Sequence, residues 1–118
     1  MTMSAATRYH AGLAAEESVA RTYQRKGQQV AARRWRGRAG EVDLIMRNGD
    51  GLIFVEVKKS RSHAQAATRL GRRQMDRIYG AASEYLAGEP KGELTDVRFD
   101  LATVDQFGAV QVIENAFM

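Results

Sequence analysis

Apolar residues recur along this chain with two different periods, and the changes of period mark its elements. From Tyr9 to Lys26, the residues Tyr9, Leu13, Ala20 and Tyr23 share one face at helical spacing, and Gly27 follows as a C-terminal cap. Gln28 to Arg36 alternates loosely and predicts a strand, and Arg36-Gly37-Arg38-Ala39-Gly40 predicts a turn. Glu41 to Met46 is a second strand. Asn48-Gly49-Asp50-Gly51 is a hairpin signal between two apolar runs, and Leu52 to Lys58 is the antiparallel partner. Ser60 to Thr68 is polar and alanine-rich, which predicts a loop or the ragged start of a helix. Arg69 to Ala87 is a second helix with Met75, Ile78, Ala82, Tyr85 and Leu86 as its apolar stripe. Gly88 to Gly92, with the only proline, Pro90, ends it. Two strands follow, Asp96 to Val104 and Ala109 to Ile113, joined by a turn at Asp105 to Gly108. The order α-β-β-β-α-β-β, without repeat or long linker, predicts one α/β domain over residues 1–118: a mixed sheet flanked by helices.

One strand breaks the apolar logic. Leu52-Ile53-Phe54-Val55-Glu56-Val57-Lys58 reads as an interior strand, yet it carries two charges, and a buried charge is costly unless paired or bound to a metal. Alternate residues share a face, so Phe54, Glu56 and Lys58 point one way, with Glu56 and Lys58 roughly 6.6 Å apart along the strand. On the preceding strand Glu41, Asp43 and Ile45 share a face, and hairpin pairing would set Asp43 beside Glu56. Two adjacent carboxylates repel, and one tends to keep its proton. A divalent cation with a preference for oxygen removes that conflict. The plainer alternative is a Glu56–Lys58 ion pair on an exposed sheet face. Glu16 adds a third acid on the apolar stripe of the first helix, where it needs a partner: a metal site, a salt bridge to an arginine, or a position at the edge of the stripe.

Composition narrows the function classes. The chain has 118 residues and a formal charge of +4, with a sequence pI near 9.8. It has no cysteine, which removes disulfides and thiolate metal sites. It has no apolar run of about 18 residues and no apolar block near Met1, so neither a membrane span nor a secretory signal is expected, and the default location is cytoplasmic. A basic, arginine-rich domain suits phosphate contacts. Arg33, Arg34, Arg36 and Arg38 surround Trp35, which either stacks on a base or packs on the sheet. Arg69, Arg72, Arg73 and Arg77 lie opposite the apolar stripe of the second helix, as phosphate contacts or as a solvated face. His10 and His63 stand alone in the sequence.

The stretches Gly12-Leu13-Ala14-Ala15-Glu16, Tyr23-Gln24-Arg25-Lys26-Gly27, Gly40-Glu41-Val42-Asp43-Leu44-Ile45, Phe54-Val55-Glu56-Val57-Lys58 and Arg98-Phe99-Asp100 resemble, in order and spacing, the YraN-type family of small bacterial proteins. That family is similar to PD-(D/E)xK nucleases, with archaeal Holliday-junction resolvases as relatives. The resemblance implies a restriction-endonuclease-like core with the active site on a bent hairpin of the central sheet. It implies Asp43 and Glu56 as metal ligands, Lys58 as the catalytic lysine and Glu16 as the acid of the first helix. Three positions depart from the family pattern. Gln74 stands where a lysine is usual, Ser60 replaces an arginine with Arg61 next to it, and Arg34 replaces an asparagine.

The expectation is a metal-dependent endonuclease acting on DNA, possessing Mg²⁺ or Mn²⁺ on Asp43, Glu56 and Glu16, with the Val57 carbonyl as a further oxygen. Lys58 would orient the attacking water and stabilise charge at the phosphate. Arg34, Trp35, Arg36, Arg38, Arg61, Arg69, Arg72, Arg73 and Gln74 are the candidate nucleic-acid contacts. Cutting a symmetric junction would require a homodimer. The rival expectations are a nucleic-acid-binding module with little or no catalysis, and an adaptor whose acids only form salt bridges.

Overall fold

The computed structural model describes the backbone of residues 5–117, and side chains from Ala11 onward. Tyr9 and His10 therefore lie outside the described side chains. The element order is α1 (Ala5–Gln24), β1 (Gln29–Arg36), β2 (Glu41–Asn48), β3 (Gly51–Lys59), α2 (His63–Ala67), α3 (Arg72–Leu86), a 3-10 turn (Gly92–Leu94), β4 (Val97–Val104) and β5 (Val110–Ile113). The five strands form one mixed sheet in sequence order. β3 and β4 run parallel and every other neighbouring pair is antiparallel. The parallel pair needs a crossover, which α2 and α3 supply.

Two differences from the expected order have local causes. Ser60 to Thr68 contains a true short helix. Ser62 caps it, its hydroxyl accepting from the Gln65 N–H at 3.1 Å. The Ser-x-x-Gln spacing is a capping-box signal that the alanine-rich composition masked. The second long helix begins at Arg72 behind Gly71, so Arg69 lies in the connection and not on the helix.

The sheet buries both faces. On one side α1 packs Ala15, Val19, Ala20 and Tyr23 against Leu44, Met46, Ile53 and Val55. On the other, α3 packs Ile78, Ala81, Ala82 and Leu86 against Val42, Ile45, Leu52 and Phe54. Of the expected stripes, Ala20 and Tyr23 of α1 and Ile78, Ala82 and Leu86 of α3 face the core, with Met75 and Tyr85 partly buried against it and Leu13 half-buried outside it. β3 lies between the two layers and is buried from Gly51 to Glu56, as an interior strand with parallel pairing requires. Full burial of an aromatic or branched side chain such as Phe54 or Ile53 contributes about 1.5–3 kcal/mol.

The β2–β3 hairpin closes at Asn48 opposite Gly51, and Gly49 takes a left-handed backbone with φ +59° that a side chain would strain. At its other end the hairpin parts. The ladder runs down to Leu44 opposite Val55, and one step further the Asp43 carboxylate takes the place of a backbone acceptor, receiving the Val57 N–H at 2.9 Å. α3 closes over this open end through Gly80, where an added Cβ would come within 2.6 Å of the Ala39 Cβ. That close approach seats the helix on the 37–40 turn and brings its first two turns over the parted strands.

Candidate active site

The open end of the hairpin is a cleft of about 310 Å³ lined by Glu16 from α1, Arg34 from β1, Glu41 and Asp43 from β2, Glu56 from β3, and Gln74, Arg77 and Ile78 from α3. The three acids singled out by sequence meet there. Glu56 is 2% exposed. Burial, and then the neighbouring Asp43 carboxylate, push its pKa up to about 9, against a smaller opposing pull from Lys58. The Gln74 side-chain amide donates to Glu56 Oε2, and the Lys58 ammonium lies 3.7 Å from the same oxygen. The Glu56–Lys58 pair is thus inside the protein and not on an exposed sheet face.

Glu16 has a different environment. Its Oε1 accepts from Arg34 Nε at 2.7 Å and its Oε2 from Arg34 Nη2 at 3.4 Å. Burial raises the Glu16 pKa, and the Arg34 bond pulls the other way. The salt bridge to an arginine is therefore the partner that Glu16 takes. Arg34 itself is unusual: its φ of +47° is left-handed, a conformation that costs a residue with a Cβ about 1–2 kcal/mol. It lies across from Asp43, between the pairs Arg33–Leu44 and Trp35–Val42. Asparagine is among the residues that tolerate such a backbone.

Asp43 and Glu56 form a crowded all-oxygen pair whose conflict a hard divalent ion would relieve, so this pair fits Mg²⁺ or Mn²⁺. Among the described residues, no three His, Asp or Glu side chains come together as a metal-holding group. As placed, Glu16 lines the cleft but does not complete such a set.

The other candidates divide. Gln74 is fixed on Glu56, and Arg77, named from its helix face, lines the cleft. Trp35 is partly buried with its ring edge-to-face on Tyr85 at 5.3 Å, the packing arrangement. Arg36 pairs with Glu41 at 3.0 Å, and Arg38 is exposed while its backbone N–H donates to Glu84. Arg61 and Arg69 border a second groove with Lys59, and Arg69 donates to the Lys59 carbonyl at 3.2 Å. Arg72 and Arg73 are exposed on α3. Sequence reasoning missed Glu41 as a cleft residue, although its place two residues before Asp43 on the same face was a usable signal. It also treated His63 as isolated. His63 Nδ1 lies 2.7 Å from Thr103 Oγ1 and its Nε2 lies 3.6 Å from Asp105, and Thr103 is the register partner of Lys58. Asp100, for which the sequence offered no chemistry, is fully buried and accepts from Tyr23, Arg98 and the Asn115 N–H.

Comparison with known proteins gives a consistent family. The profile of the uncharacterised protein family UPF0102 matches residues 15–104. A UPF0102 protein of Cereibacter sphaeroides strain KD131 is 68% identical over 115 residues, covering 98% of each chain. One of Ruegeria pomeroyi is 57% identical over 115 residues, covering 97% of this chain and 94% of the relative. One of Dinoroseobacter shibae is 47% identical over 107 residues, covering 91% and 80%. Among the described residues no helix is long and apolar enough to cross a membrane.

Proposed function

The chain belongs to the uncharacterised protein family UPF0102, and from that premise and the chemistry of the cleft we propose that it is a metal-dependent endonuclease hydrolysing phosphodiester bonds in DNA, built on a restriction-endonuclease-like core of the PD-(D/E)xK type. One observation carries the reading. Two carboxylates from adjoining strands meet at a cleft, one of them buried, its pKa raised by that burial and by the other carboxylate, with an ammonium 3.7 Å away. A buried carboxyl set against a second carboxylate in a cleft, with its pKa strongly perturbed, is the arrangement that marks a functional site.

Asp43 and Glu56 would hold the ion. When bound, Mg²⁺ or Mn²⁺ supplies charge neutralisation at the phosphate and makes water more acidic. The chain's own residues do the rest. Asp43 is fixed by the Val57 N–H, so its carboxylate has a defined orientation. Gln74 orients Glu56 from the other side. Lys58 positions the attacking water and stabilises the negative charge that grows on the phosphoryl oxygens. Branched DNA is the substrate suggested by the likeness to resolvases, and two sites in a dimer would then act on the two strands.

The test is cleavage of linear, nicked and four-way DNA with Mg²⁺ or Mn²⁺. Wild type should cut at least one of these, and Lys58→Ala should lose about 10²–10³-fold in rate while still binding DNA. Retarded DNA without cleavage under all conditions would instead favour the binding module with little or no catalysis, a reading that the commitment of Glu16 to Arg34 supports.

A further inference from the structure

The Arg34–Glu16 pair sits inside the cleft and is not accounted for by ion binding at Asp43 and Glu56. Here the arginine occupies a left-handed conformation, φ +47°, that a residue with a Cβ avoids, and strain of this kind persists where the surroundings enforce it. The guanidinium is gripped through two nitrogens by Glu16, at 2.7 and 3.4 Å, so it is aimed and not merely present. Its side chain keeps 32% exposure and lines the same cleft as Asp43 and Glu56. Gly12 on α1 lies beside it, where an added Cβ would meet Arg34 Nη2 at an ordinary contact distance of 3.7 Å. The result is a guanidinium held in place by Glu16, opposite Asp43 in the strand register and lining the same cleft.

Building on the nuclease reading, we propose that Arg34 is a resident cation of the cleft. Aimed by Glu16, it takes a phosphate oxygen of the nucleic-acid strand beside a single divalent ion on Asp43 and Glu56. Glu16 is a positioning residue for Arg34 and not an ion ligand. A guanidinium suits this task because its five N–H donors fan out in one plane, so one group can meet a carboxylate and a phosphate oxygen together.

The experiment has two arms, each run on wild type, Glu16→Gln, Arg34→Asn and Asp43→Asn. Arg34→Asn is chosen because asparagine tolerates the left-handed backbone, so the fold is kept, and thermal unfolding of each variant checks this. The first arm is calorimetric titration with Mn²⁺. Glu16→Gln should stay within about twofold of wild type at one ion per chain, while Asp43→Asn should lose binding at least about tenfold. The second arm measures duplex binding in EDTA as a function of salt. Arg34→Asn should weaken binding about tenfold and lower the salt slope by about one, with Glu16→Gln intermediate. Loss of Mn²⁺ affinity in Glu16→Gln equal to that in Asp43→Asn would make Glu16 an ion ligand and overturn the proposal. An unchanged salt slope in Arg34→Asn would make Arg34 a purely structural contact, with the same consequence. Unchanged Mn²⁺ affinity in Asp43→Asn would strike the metal reading and not the Arg34 phosphate contact, which the EDTA arm measures independently.

Discussion

Two carboxylates are buried in the sheet of this protein, and they are treated in opposite ways. Asp100 on β4 is fully buried, and its two oxygens accept from the Tyr23 hydroxyl, two nitrogens of Arg98 and the Asn115 N–H. Glu56 on β3 is as deeply buried but faces a second carboxylate, with one amide donor from Gln74 and an ammonium no closer than 3.7 Å. Asp100 ties α1, β4 and the C-terminal segment together, where Ala116 N donates to the Phe99 carbonyl and Phe117 packs on Tyr79 and Phe99. The same network raises the Tyr23 phenol well above its ordinary pKa, chiefly through burial and the Asp100 bond, so it stays a donor. A satisfied buried acid holds a fold together. One left in conflict with its neighbour is better explained by a ligand that arrives later.

The comparison can be broken at either end. The largest effect is expected at the satisfied acid. Asp100→Ala leaves Arg98 with only the exposed Glu114 and removes the acceptor for Tyr23, and should destabilise the protein by about 3–5 kcal/mol in urea unfolding. Tyr23→Phe removes one hydrogen bond to a charged group and should cost about 1.5–3 kcal/mol by the same measurement. Glu56, set against a second carboxylate, should respond with the opposite sign. Glu56 holds its proton to about pH 9 in the fold, against the ordinary 4.5. The native state therefore binds more protons between these values. The stability that this group contributes is complete below pH 4.5 and is lost as pH rises through 9. Glu56→Gln should flatten that decline and raise the metal-free melting temperature at pH 8 by roughly 4–8 °C, or about 1 kcal/mol for a domain of this size. A fall in melting temperature with Glu56→Gln would place Glu56 in the same class as Asp100.

Much of this architecture is legible in the sequence because it is local. The apolar run from Leu52 to Val57, the Asn48-Gly49 turn and the stripe Met75, Ile78, Ala82 and Leu86 each carry their own periodicity, and Asp43 and Glu56 follow from hairpin register. What was not legible depends on distance or on backbone geometry. Tyr23 and Asp100 are 77 positions apart and no pattern in either segment points to the other. The left-handed turn of the backbone at Arg34 interrupts β1 without any glycine to announce it, and the register shift between Val30 and Ala32 adds a second irregularity in the same strand. Alternation along β1 could therefore not say which arginine enters the cleft. Val42 and Ile45, three residues apart, both pack on the α3 side, so strict alternation also fails beside Asp43.

The most direct test of the Asp43–Glu56 site is Mn²⁺ calorimetry at pH 7 in two buffers of different ionisation enthalpy. Because burial and the neighbouring Asp43 favour the protonated form of Glu56 in the metal-free protein, binding should occur with release of up to about one proton per ion, seen as a buffer-dependent heat. That heat should vanish in Asp43→Asn. Absence of Mn²⁺ binding, or binding with no proton released, would contradict a metal site built on the buried carboxylate pair.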